Sequence, residues 1–310
     1  MNLFDMIQLG EPVEHGGIVI VPLFPRRSPV AEYLTLDEAF PRGLRVTETS
    51  EAGSVPELVV ANPLDEQVLL YDGEELVGAK QNRILNVSVL VAGKATLSIP
   101  VSCVEEGRWR HVSADFTAAP HISHAQLRRR KAQTLASAPL ARGLAQSEVW
   151  DEVRAKAARM DAASPTMANA DTFRTHGVAL GRLERAFPAL PGQSGAILAL
   201  GDDLCLDYVS RPEAFARLWP KLRAGYLLDA LERLDGPPTP SARIEAFASG
   251  LDRVLETRGP SAGLGEDFRL HGAGVIGSAL AIDGETIQLS AFTSREGKRV
   301  GRIARPSRRR

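Results

Sequence analysis

The densest run of chemically capable side chains lies between Leu69 and His111, in LLYDGEELVGAKQNRILNVSVLVAGKATLSIPVSCVEEGRWRH. Glu74 and Glu75 are adjacent carboxylates beside Gly73. One could serve as a general acid or base while the other holds a sugar hydroxyl or a metal. Gln81, Asn82, Arg83 and Asn86 bring amides that donate and accept, and a guanidinium whose fork matches phosphate or carboxylate. Glu105, Arg108 and Trp109 close the stretch, Trp109 with a flat face for stacking a base. Glu74 and Glu75 are thus the catalytic candidates. The ligand-binding candidates are Gln81, Asn82, Arg83, Asn86, Glu105, Arg108 and Trp109, and no metal-ligand set is assigned. Neighbouring strand residues face opposite sides, so only one of the two glutamates enters a given pocket. Polar residues at this density also suit a buried hydrogen-bond network that sets strand register. The site reading and the network reading stand level.

The elements that must carry these residues are strands. Val68–Tyr71 is strand-like, Asp72-Gly73 is a turn pair, and Gly93-Lys94 breaks the next apolar run. Residues 84–91 and 95–104 are rich in β-branched side chains and read as one strand each. Upstream, residues 2–9 suit a short strand or a helical turn. Ile18–Phe24 reads as an apolar strand whose Pro22 suggests an edge, and Leu44–Thr49 alternates at period two. The stretch 33–40 suits a short helix begun at Thr35.

After Phe116 the pattern turns helical, over 123–135, 146–161 and 170–187, the last broken near Gly177 and Gly181. Residues 195–209 read as a hairpin. Helices are expected from Ser210, over 220–233 and over 241–257, before closing strands at 268–270, 275–282 and 286–292. The order of strands, then helices, then a mixed segment predicts an α+β fold, not a doubly wound one. The expectation is one integrated domain over 1–293, with a β-rich part (1–118, an antiparallel sheet or sandwich), central helices (121–190) and a mixed α/β segment with hairpins (193–293).

DGEELVGAKQNRILN followed by IPVSCVEEGRW resembles the signature of the ADP-ribosylglycohydrolase and rhodanese-phosphatase-superfamily-associated protein domain. VTETSEAGSVPELVVAN and SEVWDEV extend the resemblance over most of the chain. The family has no established activity. Its name implies association with proteins that handle ADP-ribosyl and phosphorylated groups, and so a phosphorylated small-molecule ligand. Three functions follow: binding of an ADP-ribose-like ligand through Gln81, Asn82, Arg83 and Trp109; catalysis on such a ligand by Glu74 or Glu75; or a non-catalytic interaction module. No cofactor and no oligomeric state follow from the sequence.

Composition is that of an ordinary soluble globular chain of 310 residues, 44% hydrophobic and 24% charged. Two cysteines make no disulfide framework, and no apolar run reaches membrane-spanning length, so a cytoplasmic protein without membrane contact is expected. Between Ser294 and Arg310, eight Lys or Arg face one acid, a charge of +7, which leaves −8 on the rest of a chain of net −1. This predicts a disordered basic tail with weak nucleic-acid or acidic-partner contact, or simply a solvated end.

Four further motifs each have a plainer structural reading. His271 to Gly277 spells GxGxxG, but a hairpin pattern follows where a dinucleotide site needs a helix, so glycines in a tight turn are expected. Cys103, next to Glu105 and Glu106, is expected to be a buried small hydrophobe, not a nucleophile. His121 and His124 form an HxxH pair read as exposed histidines, with a metal role as the sharper alternative. Arg128 to Lys131 is read as a solvated helix face, with phosphate binding as the alternative.

Overall fold

The computed structural model describes residues 3–50, 56–137 and 146–294. The basic run beyond Ser294 lies outside them. The fold is α+β, built on sheets of nine, six and three strands among the described residues. The nine-stranded sheet runs in the order Ile7–Leu9, Ile18–Pro25, Gly195–Leu200, Asp203–Val209, Glu285–Thr293, Val275–Ile282, Glu266–Gly272 and Leu255–Pro260. Val13–His15 also pairs along Ile18–Pro25. The first strands of the chain therefore share a sheet with the last. The other strands of the β-rich N-terminal stretch, between residues 34 and 122, form the six- and three-stranded sheets by themselves.

Period two explains why both faces of this sheet are covered. Ile18, Ile20, Ala196 and Leu198 point into one core with the helix Pro212–Ala230, while Val19, Val21, Ile197 and Ala199 point into a second with the helix Ser241–Leu251. Ile18–Pro25 is consequently an interior strand. Its Pro22 is tolerated because it sits where pairing passes from Val13–His15 to Ile7–Leu9, so no regular ladder is interrupted on that side.

The six-stranded sheet holds the polar stretch. Its order is Phe116–Ile122, Glu74–Gly78, Arg83–Leu85, Thr96–Cys103, Glu57–Ala61 and Arg45–Glu48. The expected strand over 84–91 is in fact two: Arg83–Leu85 stays in this sheet, while Val89–Val91 joins a three-stranded one with Val68–Leu70 and Leu34–Thr35. The polar Asn86 and Ser88 mark the change of sheet. The short helix Leu36–Ala39 starts at Thr35, whose backbone N–H and hydroxyl both donate to the Glu38 carboxylate at 2.9 Å.

Among the helices, Pro220 does not end the one from Pro212: a single helix runs to Ala230, with Phe215, Trp219, Leu222 and Tyr226 buried. Tertiary packing of that apolar face outweighs one missing hydrogen bond. Residues 255–257, expected to end a helix, lie instead in Leu255–Pro260, the edge strand of the large sheet. Gly225 is required by close approach, since a Cβ there would lie 2.7 Å from the Ile122 carbonyl oxygen. It lets the long helix pack onto the Phe116–Ile122 strand. The GxGxxG glycines sit in the hairpin between Glu266–Gly272 and Val275–Ile282, with Gly272 and Gly274 at positive φ, as the turn reading expects.

Ser123 does not cap the helix Ala125–Ser137, as its hydroxyl has no partner. Asp229 takes that place, accepting the Gln126 N–H at 2.9 Å, with the Lys156 ammonium at 2.6 Å and His124 Nδ1 at 3.2 Å. Burial pushes the Asp229 carboxyl up, but Lys156 and His124 more than reverse this and hold it well below the usual carboxylate range. The unfolded chain then takes up this proton near pH 3.9 while the folded chain resists it, so the stabilisation is present above about pH 4 and is lost as pH falls further. The denaturation midpoint should drop between pH 5 and 3, and drop less steeply in Asp229→Asn. Parallel profiles for the two proteins would disprove this.

Candidate functional site

Adjacent strand positions send Glu74 and Glu75 to opposite sides, as expected, and both are 1% exposed. Glu74 accepts the Tyr71 N–H at 2.8 Å and pairs at 3.0 Å with Lys221, which also pairs with Asp37. Burial pushes the Glu74 carboxyl above its ordinary range, outweighing the pull of Lys221 and of the Tyr71 N–H.

Glu75 turns the other way and gathers donors from three other parts of the sequence. Its Oε2 lies 2.7 Å from Asn169 Nδ2 and 2.9 Å from His121 Nε2, and its Oε1 accepts from Asn82 Nδ2 at 3.3 Å. His121 reaches it through an irregularity in the Phe116–Ile122 strand. Ala118 pairs with Leu76 and Ile122 with Glu74, so three residues span the place of Glu75 alone. Pro120, which has no N–H to give the ladder, lies in that bulge.

The His121 ring stacks on Phe173 with centroids 3.8 Å apart. A carboxylate oxygen that accepts from Asn169 leaves His121 Nε2 as the donor, so in the neutral ring the lone pair sits on Nδ1. Nδ1 has no hydrogen bond among the described residues, and the ring lines a cleft of ≈ 450 Å³. The cleft lies between this bulge and the helices Asn169–Thr175 and Gly177–Glu184, with Asn82, Phe173, Arg174 and Leu180 among its walls.

The remaining polar residues form a support behind this wall. Arg108 donates to the carbonyls of Ala79 (2.8 Å) and Gly78 (3.2 Å) and to Asn82 Oδ1 (3.1 Å), and pairs with Glu105 at 2.6 Å. It thereby clamps the turn 78–82, where Ala79 holds φ 40°. Burial acts to raise the Glu105 carboxyl, but bonds from Arg108, Thr166 and the Asn82 N–H leave it below its usual range. The Val104 carbonyl accepts the Asn169 N–H at 2.9 Å, which ties the 169–175 helix to the sheet.

Arg83 is fully buried, donating to Gln81 Oε1 at 3.0 Å and to Cys103 Sγ at 2.6 Å, with Glu48 at 3.7 Å. The Cys103 thiol itself donates to Gln81 at 2.8 Å. Burial pushes it up to about 11 against the pull of Arg83, which keeps it an un-ionised thiol at neutral pH. Asn86 accepts from Ser102 at 2.8 Å. Of the sequence candidates only Trp109 is substantially exposed, at 50%, with Lys80 Nζ 5.4 Å and Arg83 Cζ 5.7 Å from its ring centre. The structure thus joins Glu75, Asn82, Glu105 and Arg108 in one network and Gln81 and Arg83 in another, while Glu74 and Asn86 stand apart from both.

Two expectations are corrected. His121 and His124 are buried, not exposed, and diverge: the first joins Glu75, the second Asp229. Of the basic run, Arg128 and Lys131 are 1% exposed and neutralise Asp207 and Asp72, so only part of that helix face meets solvent. Asn169, Phe173 and Arg174 carried no signal in the sequence, because about a hundred residues separate them from Glu75. The proline beside His121 was the one local hint.

The model of the ARG and Rhodanese-Phosphatase-superfamily-associated Protein domain matches residues 6–292. The chain belongs to this family. The matched span takes in strands of all three sheets, the Glu75–His121 pair and the residues that line the cleft. No curated protein and no solved structure matches the chain. The family's description links it to the ARG and rhodanese-phosphatase superfamilies and to no specific ligand. No helix among the described residues is long and apolar enough to cross a membrane.

Proposed function

We propose that the protein binds a small phosphorylated, ADP-ribose-like ligand in the cleft beside His121, with the buried network of residues 75–108 as its rigid support. The observation that carries this reading is a histidine held by a buried carboxylate, with its other ring nitrogen unpartnered at the wall of a ≈ 450 Å³ cleft. That volume is in the range of small-molecule sites, which are mostly apolar with few polar groups. Arg174, also on the cleft wall, pairs with Asp171 at 2.5 Å, and its 77%-exposed side chain keeps further guanidinium donors for a phosphate. Of the adjacent glutamates, Glu75 is the one that acts at the cleft, through His121, while Glu74 belongs to the Lys221 pair. The family's association with ADP-ribosyl and phosphatase superfamilies is in keeping with such a ligand.

The test is a thermal-shift panel of ADP-ribose, NAD, ribose 5-phosphate and inorganic phosphate on wild type and on His121→Ala. A ligand at 100 times its Kd should add about 2.7 kcal/mol, roughly four degrees at this chain length. A shift seen in wild type and lost in a still-folded His121→Ala supports the site. No shift with any compound would favour a second reading, a non-catalytic interaction module. One observation supports that alternative: most of the polar stretch is buried and internally paired, while Trp109 and Val112 stand 50% and 57% exposed in the loop that follows it.

A further inference from the structure

Gly177 and Gly181 lie one turn apart on the helix Gly177–Glu184, and both line the cleft. Neither has positive φ, and a Cβ built on either would meet nothing within 4 Å. Gly225 and Gly195 differ, since a Cβ there would strike backbone at 2.7 Å and 2.5 Å. Packing inside the chain therefore gives no reason for glycine at 177 and 181, and Gly181 within the helix is less favourable than alanine. The result is a strip of bare helix backbone facing the cleft.

A second observation points to what the strip is for. His121 is 4% exposed, its Nε2 is committed to Glu75, and its Nδ1 has no partner while the ring lines the same cleft. The rest of the lining is largely apolar, with Val77, Pro120, Phe173 and Leu180; its charged groups are Arg174, paired with Asp171 at 2.5 Å, and Glu184, paired with Arg223 at 3.5 Å. The complementary ligand has a flat apolar body, one N–H or O–H donor and an anionic end.

We infer that the cleft takes a nucleobase, laid flat against the Gly177–Gly181 backbone with an exocyclic amino N–H donating to His121 Nδ1, and carried on a phosphorylated sugar whose phosphate meets Arg174. The inference rests on the cleft being the ligand site and adds which part of the ligand the protein recognises. A bare backbone strip accepts the face of a planar ring at van der Waals distance, and any side chain at 181 would fill that space. Base recognition, and not sugar phosphate alone, sets specificity.

Titration calorimetry with AMP, adenosine and ribose 5-phosphate tests this on wild type, His121→Ala, Gly181→Ala and Gly181→Leu. Wild type should bind AMP best and adenosine better than ribose 5-phosphate. Gly181→Leu should weaken AMP by at least about tenfold, the equivalent of ~1.4 kcal/mol. Its melting temperature, and that of Gly181→Ala, should equal or exceed the wild type's, because the helix gains a better former. Loss of binding without loss of stability is what a merely structural glycine would not produce. Unchanged AMP affinity in Gly181→Leu overturns the base inference. So does ribose 5-phosphate binding as tightly as AMP, and if that binding is abolished in His121→Ala the cleft reading survives alone. If wild type binds none of the three, the cleft reading falls and the base inference falls with it.

Discussion

Asp207→Ala is expected to remove a large share of the protein's stability. The Asp207 carboxylate is fully buried and takes a two-point pair from Arg128 (2.6 and 2.8 Å), plus hydroxyls from Tyr71 (2.7 Å), Tyr226 (2.6 Å) and Ser290 (2.8 Å). Tyr71 comes from the polar stretch and Arg128 from the helix Ala125–Ser137. Asp207 and Ser290 belong to the nine-stranded sheet, and Tyr226 to the long helix. Burial first, and Asp207 next, hold both phenols well above 10, so they remain donors throughout the physiological range.

Deleting the carboxylate would leave the 1%-exposed guanidinium of Arg128 with only Asp72, at 3.7 Å, as a counter-charge, strand the Tyr226 hydroxyl and leave that of Tyr71 with Ser290 alone. Breaking a buried pair in this way costs about 3–5 kcal/mol. A domain's whole stability is roughly 5–15 kcal/mol. The check is the urea midpoint of Asp207→Ala against that of the exposed-site control Arg185→Ala, which should stay within about 0.5 kcal/mol of wild type. Combining Asp207→Leu with Arg128→Met should cost less than the two single changes added, since no charge is then orphaned. A midpoint for Asp207→Ala close to the control would refute the role given to this cluster.

The second large effect is expected at Glu75→Gln. The carboxylate accepts from His121, Asn169 and Asn82 at once. An amide keeps the shape but puts an N–H₂ against at least one of these donors, which costs about 1–3 kcal/mol. It also removes the acceptor that fixes the His121 tautomer. Under the proposed function ADP-ribose affinity should fall about tenfold, the equivalent of ~1.4 kcal/mol. Glu74→Gln is the matched comparison, because Glu74 answers to Lys221 on the other side of the strand. Its stability should change while its ADP-ribose affinity stays near the wild type's. Equal affinity losses in the two variants would remove the special role of the Glu75–His121 pair.

The contrast between these two glutamates also shows what was legible in advance. That they face opposite sides follows from the strand's period of two. Which of them meets a cleft does not, because the cleft's far wall is Asn169, Phe173 and Arg174. The polar stretch was visible as a centre of organisation, and the structure makes it largely an interior one, with Arg83 fully buried and Arg108 clamping a turn. Burial of arginine is hard to anticipate, because a buried guanidinium is tolerated only where distant carboxylates and carbonyls converge on it. The same limit explains Arg128 and Lys131, which look like a solvated helix face until Asp207 and Asp72 are placed beside them. Pro220 misled for the opposite reason: a local rule predicts a break, and a long apolar face packed on two sheets overrides it.

By itself the sequence determined the α+β class, the family, most strands and helices, the hairpin at the GxGxxG glycines and the burial of Cys103. Each depends on periodicity, turn chemistry or a contiguous motif, and these act within a few residues. Only the tertiary structure decided that the first strands join the last in one sheet, that His121 is held by Glu75, and that glycines 177 and 181 bare a helix to the cleft opposite it. Those features depend on contacts between residues tens to hundreds of positions apart. Their free energy exists only once the sheets and helices have packed, so no local pattern in the chain records them.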